Sequence, residues 1–148
     1  PNTGIGKSSA NERVSNSEID ISIKFLNPTE RLSVLELLEL ISGDSEITPG
    51  INVRLADGPS EGHQIVFVDM GGEKVIFAGD LIPTEYHLNP QYIAASDEFP
   101  NETLVQKKEL MDMAMNEGWL IVFGHGQEHK SGYVENWNGK PHLLPKEI

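Results

Sequence analysis

Lys74-Val75-Ile76-Phe77-Ala78-Gly79-Asp80 is an apolar run that stops abruptly at a glycine and an aspartate. Trp119-Leu120-Ile121-Val122-Phe123-Gly124-His125 repeats the design, with a histidine in place of the aspartate. Runs this short, rich in β-branched and aromatic residues and without polar alternation, read as strands buried on both faces. Pro100–Glu117, between them, reads as the chain's best helix. Pro100 suits the first helical position, Glu102 complements the N-terminal dipole, and Gly118 follows the last turn as a C-cap. Leu104, Leu110, Met111, Ala114 and Met115 fall on one face at helical spacing, which reads as a core-facing stripe.

Working outward, Gln64 to Asp69 and Lys74 to Ala78 flank Met70-Gly71-Gly72-Glu73, a hairpin pattern. Ile51-Asn52-Val53-Arg54-Leu55 alternates like a strand between turns at Pro49-Gly50 and Asp57-Gly58, and Gly43-Asp44-Ser45-Glu46 reads as a further turn. The tail from Tyr133 to Leu144 reads as a hairpin around Asn138-Gly139. At the other end, residues 1–18 are rich in Asn, Ser and Gly and read as a flexible lead-in. Ile19, Ile21 and Ile23 alternate as in a short strand. Asn27-Pro28 has the form of a helix start, and Leu35 to Ile41 fits a strand as well as a helix. The order strands, hairpin, helix, buried strand, hairpin predicts an α/β layer with one sheet, without the regular alternation of a doubly wound fold.

The 148 residues suffice for one domain with a substantial core. No apolar run approaches the ~20 residues of a membrane span. Residues 1–16 lack a charged-then-apolar leader pattern, so the cytoplasm is the default compartment. Twenty-three acidic residues against 11 basic ones give a net charge of −12, which argues against nucleic acid as a partner because such affinity draws on Lys and Arg. There is no cysteine, so a metal would have to be held by His, Asp or Glu.

Three segments place a polar, metal-capable side chain beside the end of an apolar strand: Gly58-Pro59-Ser60-Glu61-Gly62-His63, Phe77-Ala78-Gly79-Asp80 and Phe123-Gly124-His125. Strand ends on one sheet edge can converge, and neighbouring glycines permit close approach. Carboxylate and imidazole are natural ligands for zinc, manganese or iron. Taken singly each residue has a plainer reading. An aspartate after a strand is commonly a turn-former, and a loop histidine, such as His129 or His142, is commonly solvated.

Taken together, Gly58 to Gln64, Phe77-Ala78-Gly79-Asp80-Leu81-Ile82-Pro83-Thr84 and Gly118 to His125 resemble the C-terminal half of the metallo-β-lactamase-fold hydrolases. The resemblance runs from about Leu38 to the end and includes the Tyr86-His87-Leu88 loop and the helix after it. It implies half of an αββα sandwich, one mixed sheet with helices on one face, spanning residues 19–148. It also implies a divalent metal, zinc first and iron or manganese next. In that pattern Asp80 bridges two metals and His125 binds the second. The activity implied is attack of metal-activated water on an ester, amide, lactone or phosphoester of a small molecule.

Two departures qualify the resemblance. The His-x-His-x-Asp-His motif that supplies most ligands is absent, and residues 1–41 hold no histidine. The first histidine of the Gly-His-Thr-x-Gly-His loop, normally a ligand, is here Pro59, leaving His63 in the place of the second, which supports the ligands without binding. A one-metal or lopsided two-metal centre is the expectation, and the chain alone is expected to be inactive. His87 is a candidate for the substrate-facing loop. Quorum-signal lactonases carry a tyrosine three residues after the bridging aspartate, where this chain has Pro83, which disfavours lactone cleavage. The alternatives are a non-catalytic binding or scaffold module of the same fold, or a truncated product of a longer hydrolase. Half a sandwich leaves an apolar sheet face open, so the expected partner is the missing N-terminal half or a second copy docked through the sheet.

Overall fold

Pairing in this chain follows from turn chemistry. Asn138 and Gly139, at φ 52° and 79°, close a two-residue turn with both central residues left-handed, the geometry that matches strand twist. It joins β6 (Ser131–Trp137) to β7 (Lys140–Pro145) with Trp137 opposite Lys140. The computed structural model describes residues 41–148, of which Gly43–Ile148 form one unit. The readings for residues 1–18, 19–23, 27–30 and the stretch from Leu35 lie outside the described residues.

The remaining strands are β1 (Ser45–Thr48), β2 (Ile51–Leu55), β3 (Gln64–Val68), β4 (Val75–Phe77) and β5 (Leu120–Val122). They form one seven-stranded sheet in sequence order, β1 to β7. All neighbours are antiparallel except β4 and β5, which run parallel with Ile76 opposite Ile121. A parallel pair requires a crossover, supplied here by α1 (Pro100–Glu117). The sheet is therefore mixed, with one α-helix among the described residues, consistent with half of such a sandwich. Among the described residues, no helix is long and apolar enough to cross a membrane.

α1 begins at Pro100 and is capped after Glu117 by Gly118, whose φ of 71° lets its N–H return to the Ala114 carbonyl at 3.0 Å. Its inward stripe differs from the expected one. Thr103, Lys107, Leu110, Met111 and Ala114 are buried, while Leu104 is only half-buried. The C-terminal part of this stripe packs with Ile65, Phe67, Ile76 and Ile121 in the main core, and Phe67 meets Trp119 edge to face at 5.4 Å. Complete burial of a side chain such as Ile76 contributes roughly 1.5–3 kcal/mol. The polar Thr103 and Lys107 face the loop before the helix instead.

Two other expectations are corrected. Gly43 to Glu46 is not a turn throughout, because β1 already starts at Ser45 and pairs it with Val53. β4 is not buried on both faces: Phe77 is 44% exposed. Val53, Val66, Phe77 and Val122 form a cross-strand row on the face opposite α1. The helix covers only the other side of the strand.

Candidate metal centre

β4 and β5 lie side by side and parallel, so their carboxyl ends open on the same edge, where ligand crevices of α/β sheets form. After β4, Gly79 takes φ 53° and starts a short 3-10 turn (Gly79–Leu81) that presents Asp80. Leu81 and Ile82, both essentially buried, anchor that turn in the core. After β5, the chain turns at Gly124 and the His125 N–H donates to the Pro83 carbonyl at 2.9 Å. The two turns bring the His125 ring Nε2 to 3.1 Å from the Asp80 Oδ1, with both side chains more than half exposed.

His63 stands behind this pair. Its loop precedes β3, the antiparallel neighbour of β4, so it reaches the same sheet edge. Its Nε2 accepts the Asp80 backbone N–H at 3.0 Å. An accepting Nε2 carries no proton, so the neutral ring is protonated at Nδ1, which is buried and has no well-formed hydrogen bond among the described residues. Burial lowers the pKa of His63, against the opposing influence of Asp80, the Ala56 backbone, Asp97 and Asp57. The neutral form that can accept from Asp80 is thereby favoured.

Pro59 is buried in the same loop. Its carbonyl accepts the Glu98 N–H at 3.1 Å, and that of Gly58 accepts the Phe99 N–H at 3.0 Å. A Cβ on Gly58 would stand 2.3 Å from the Thr103 hydroxyl, so the loop lies directly against the start of α1. The proline ring supplies no donor atom to a cation. His87, in a second 3-10 turn (Glu85–Leu88), is half-buried, with its Nδ1 2.8 Å from the Thr84 hydroxyl. Burial and then the Lys107 charge lower its pKa. The structure thus unites Asp80, His125 and His63, and ties His87 into its own turn.

Among the described residues, no group of three or more His, Asp or Glu is placed to hold a metal ion. Asp80 and His125 fit two positions of a coordination sphere in both chemistry and separation, and further ligands would have to come from elsewhere. Sequence reasoning missed Glu85, whose carboxylate takes backbone N–H groups of the loop that carries His125. It also missed Asp97, which accepts the Thr103 hydroxyl at 2.6 Å. Lys107, 1% exposed, was missed too; it donates to the Tyr92 carbonyl. Lys107 alone left a trace, as a lysine at the helical spacing of the buried stripe.

No family model matches the sequence, and no curated protein matches it. Solved structures do. A probable metal-dependent hydrolase from Staphylococcus aureus is 24% identical, with a TM-score of 0.65 over 77% of this chain and 42% of its own. AidC, a dizinc quorum-quenching lactonase in complex with a product, N-hexanoyl-L-homoserine, is 16% identical, with a TM-score of 0.67 over 81% of this chain and 42% of its own. An N-acyl homoserine lactone hydrolase, with N-hexanoyl-L-homoserine at its catalytic metal centre, is 27% identical, with a TM-score of 0.54 over 61% of this chain and 36% of its own. The chain has the fold of the C-terminal part of metallo-β-lactamase-type hydrolases, and it spans less than half the length of the proteins it matches.

Proposed function

We propose that this chain supplies the second half of a metal-dependent hydrolase, with Asp80 and His125 holding a divalent cation, zinc in preference to iron or manganese. The observation that carries this reading is the 3.1 Å approach of their side chains on turns at the ends of two adjacent parallel strands. Asp80 and His125 would hold the cation, which when bound would supply Lewis-acid activation of water for hydrolysis of an ester, amide, lactone or phosphoester. The residues of this chain do the preparatory work. His63 fixes the Asp80 backbone by accepting its N–H, which leaves the carboxylate free to face outward. Pro83 holds the His125 backbone against the same turn.

The missing ligands would come from a first half that docks on the open sheet face. Phe77 and Leu55, 44% and 39% exposed, lie on that face with Val66, Val68 and Val122. An exposed apolar surface of this kind is the usual signature of an interface.

Zinc titration of the full chain tests the metal assignment. Wild type is expected to bind zinc, and Asp80→Asn and His125→Ala are each expected to weaken binding at least about tenfold. Equal binding by all three would sink the assignment. Pro59 favours a second reading, a binding module without catalysis, because a position that should donate an imidazole donates nothing. Chains that bind metal in the presence of the complementary half yet turn over no ester, lactone or phosphoester would favour that module.

A further inference from the structure

An acidic residue near two candidate ligands is ordinarily the first suspect for a third, and Glu85 sits on the connection that follows Asp80. Its hydrogen bonds argue otherwise. The Glu85 Oε1 accepts the Glu128 N–H at 2.7 Å and the His129 N–H at 3.3 Å, while Oε2 accepts the Gln127 N–H at 3.1 Å. Both oxygens are committed to the backbone of one loop. Three successive amides turned toward one carboxylate form an anion-binding concavity, here filled from within the chain.

We infer that Glu85 is a positioning residue that staples the His125 loop to the Asp80 turn, so that both ligands stand ready before a cation arrives. This rests on the metal-centre reading above. The geometry has two parts. The Asp80 side is rigid, because Leu81 and Ile82 are buried and Thr84, capping the second 3-10 turn through the Tyr86 N–H at 3.2 Å, fixes where Glu85 begins. The His125 side has less support of its own. The His125 side chain is exposed, glycines flank it on both sides, and its loop closes on itself through Phe123 to Lys130 and Lys130 to Gly126. Among the described residues, that loop is held over the Asp80 turn by the His125 N–H on the Pro83 carbonyl, the three amides on Glu85 and a hydrogen bond between the exposed Tyr86 hydroxyl and the Glu128 carboxylate.

The arrangement matters because ordering a ligand-bearing loop costs conformational entropy. If folding meets that cost, the cation does not, and affinity rises. Glu85 acts through the backbone of residues 127–129 and touches neither ligand side chain, so a conservative amide should preserve part of its effect. One oxygen of a glutamine still accepts, while its NH2 group opposes an amide donor.

The test compares Glu85→Ala and Glu85→Gln with wild type in the full chain, and uses Glu73→Gln as a control, since Glu73 instead binds the Tyr133 hydroxyl. Two readouts are taken. Without metal, ring-nitrogen resonances of His125 report its pairing with Asp80, and amide exchange reports residues 127–129. With cobalt(II) as probe, visible absorption reports affinity and coordination. Glu85→Ala is expected to lose the His125–Asp80 signature, to exchange those amides at least about tenfold faster, and to bind cobalt about tenfold more weakly. Glu85→Gln is expected to fall between, and Glu73→Gln to change neither. Unaltered His125 resonances in both Glu85 variants would overturn the inference. Wild type taking up no cobalt while Glu85→Ala disorders His125 would remove the metal reading and leave the staple standing.

Discussion

His63 and Gly79 touch so closely that a Cβ on the glycine would lie 2.6 Å from the imidazole Nε2, the same atom that accepts the Asp80 N–H. No real Cβ tolerates that distance, and Gly79 also sits at φ 53°, where a side chain is strained. Gly79→Ala is therefore expected to destabilise the fold by about 1–3 kcal/mol, and to weaken zinc binding by expelling the ring from Asp80. Chemical denaturation and zinc titration check both. The two positions should also couple. Gly79→Ala is expected to cost less in a His63→Ala background, because the clash is gone and only the backbone strain remains. Additive costs would mean that the contact is not what makes Gly79 necessary.

Lys107 gives a prediction on the alkaline side. Burial pushes its pKa down to about 8, with Asp97 pulling the other way. A lysine whose folded pKa lies below its unfolded value penalises folding while it is charged. That penalty fades as pH rises from about 8 toward the ordinary lysine range. Asp97 and His87 are the charged or titratable groups that interact with it, and His87, held below the ordinary histidine value, stays neutral in that window. Wild type should therefore gain stability relative to Lys107→Met between pH 7.5 and 10, by at most about 3 kcal/mol. Urea denaturation of both proteins across that range measures the difference, and a flat difference would show that burial does not hold the Lys107 pKa below the ordinary lysine value.

The distribution of legible features has a physical cause. Turn and cap residues act locally, so Asn138-Gly139, Pro100 and Gly118 mark their elements in the sequence. Asp80 and His125 were legible for a related reason: both end apolar strands beside a glycine, and two parallel strands deliver such ends to one edge. The exposure of Phe77 was not legible, because burial of a strand's second face depends on what packs there and not on the strand. Nor was Thr103–Lys107, since a buried polar residue is dictated by distant partners, here Asp97 and the Tyr92 carbonyl. Glu85 is the extreme case. Its partners lie more than 40 positions away and are backbone amides, which leave no mark on side-chain identity.

Glu85 supplies the acid-side prediction. Burial would raise its pKa, but the N–H groups of Glu128, Glu85 itself, Gln127 and His129 outweigh this and hold it below the ordinary glutamate value. A carboxylate with a depressed folded pKa contributes stability above its unfolded pKa and loses it as pH falls through the folded one. The stability gap between wild type and Glu85→Ala should therefore be constant from pH 7 to about 5 and close below about 4.3. Solvent reaches this group, so the gap is expected to be modest, about 1 kcal/mol. Thermal unfolding of both proteins from pH 7 to 3 measures it. A gap that persists to pH 3 would show that the charge on Glu85 is not what holds the loop.

Phe77 tests the docking face. Its row-mates Val66 and Val122 are half-buried, while the phenyl ring stands 44% exposed on the side away from α1. Replacing it should disturb the helix-side core little, because Ile76, not Phe77, fills that side. A lysine here would keep a long alkyl stem on the sheet yet place an ammonium where the proposed apolar partner would lie, and an unpaired charge buried at an interface costs several kcal/mol. Phe77→Lys is accordingly expected to keep the wild-type melting behaviour of the isolated chain and to abolish binding of a separately expressed first half in sedimentation. If wild type instead forms a dimer that the lysine dissociates, the occupant of the face is a second copy. If the lysine changes no association at all, the row through Phe77 is not an interface.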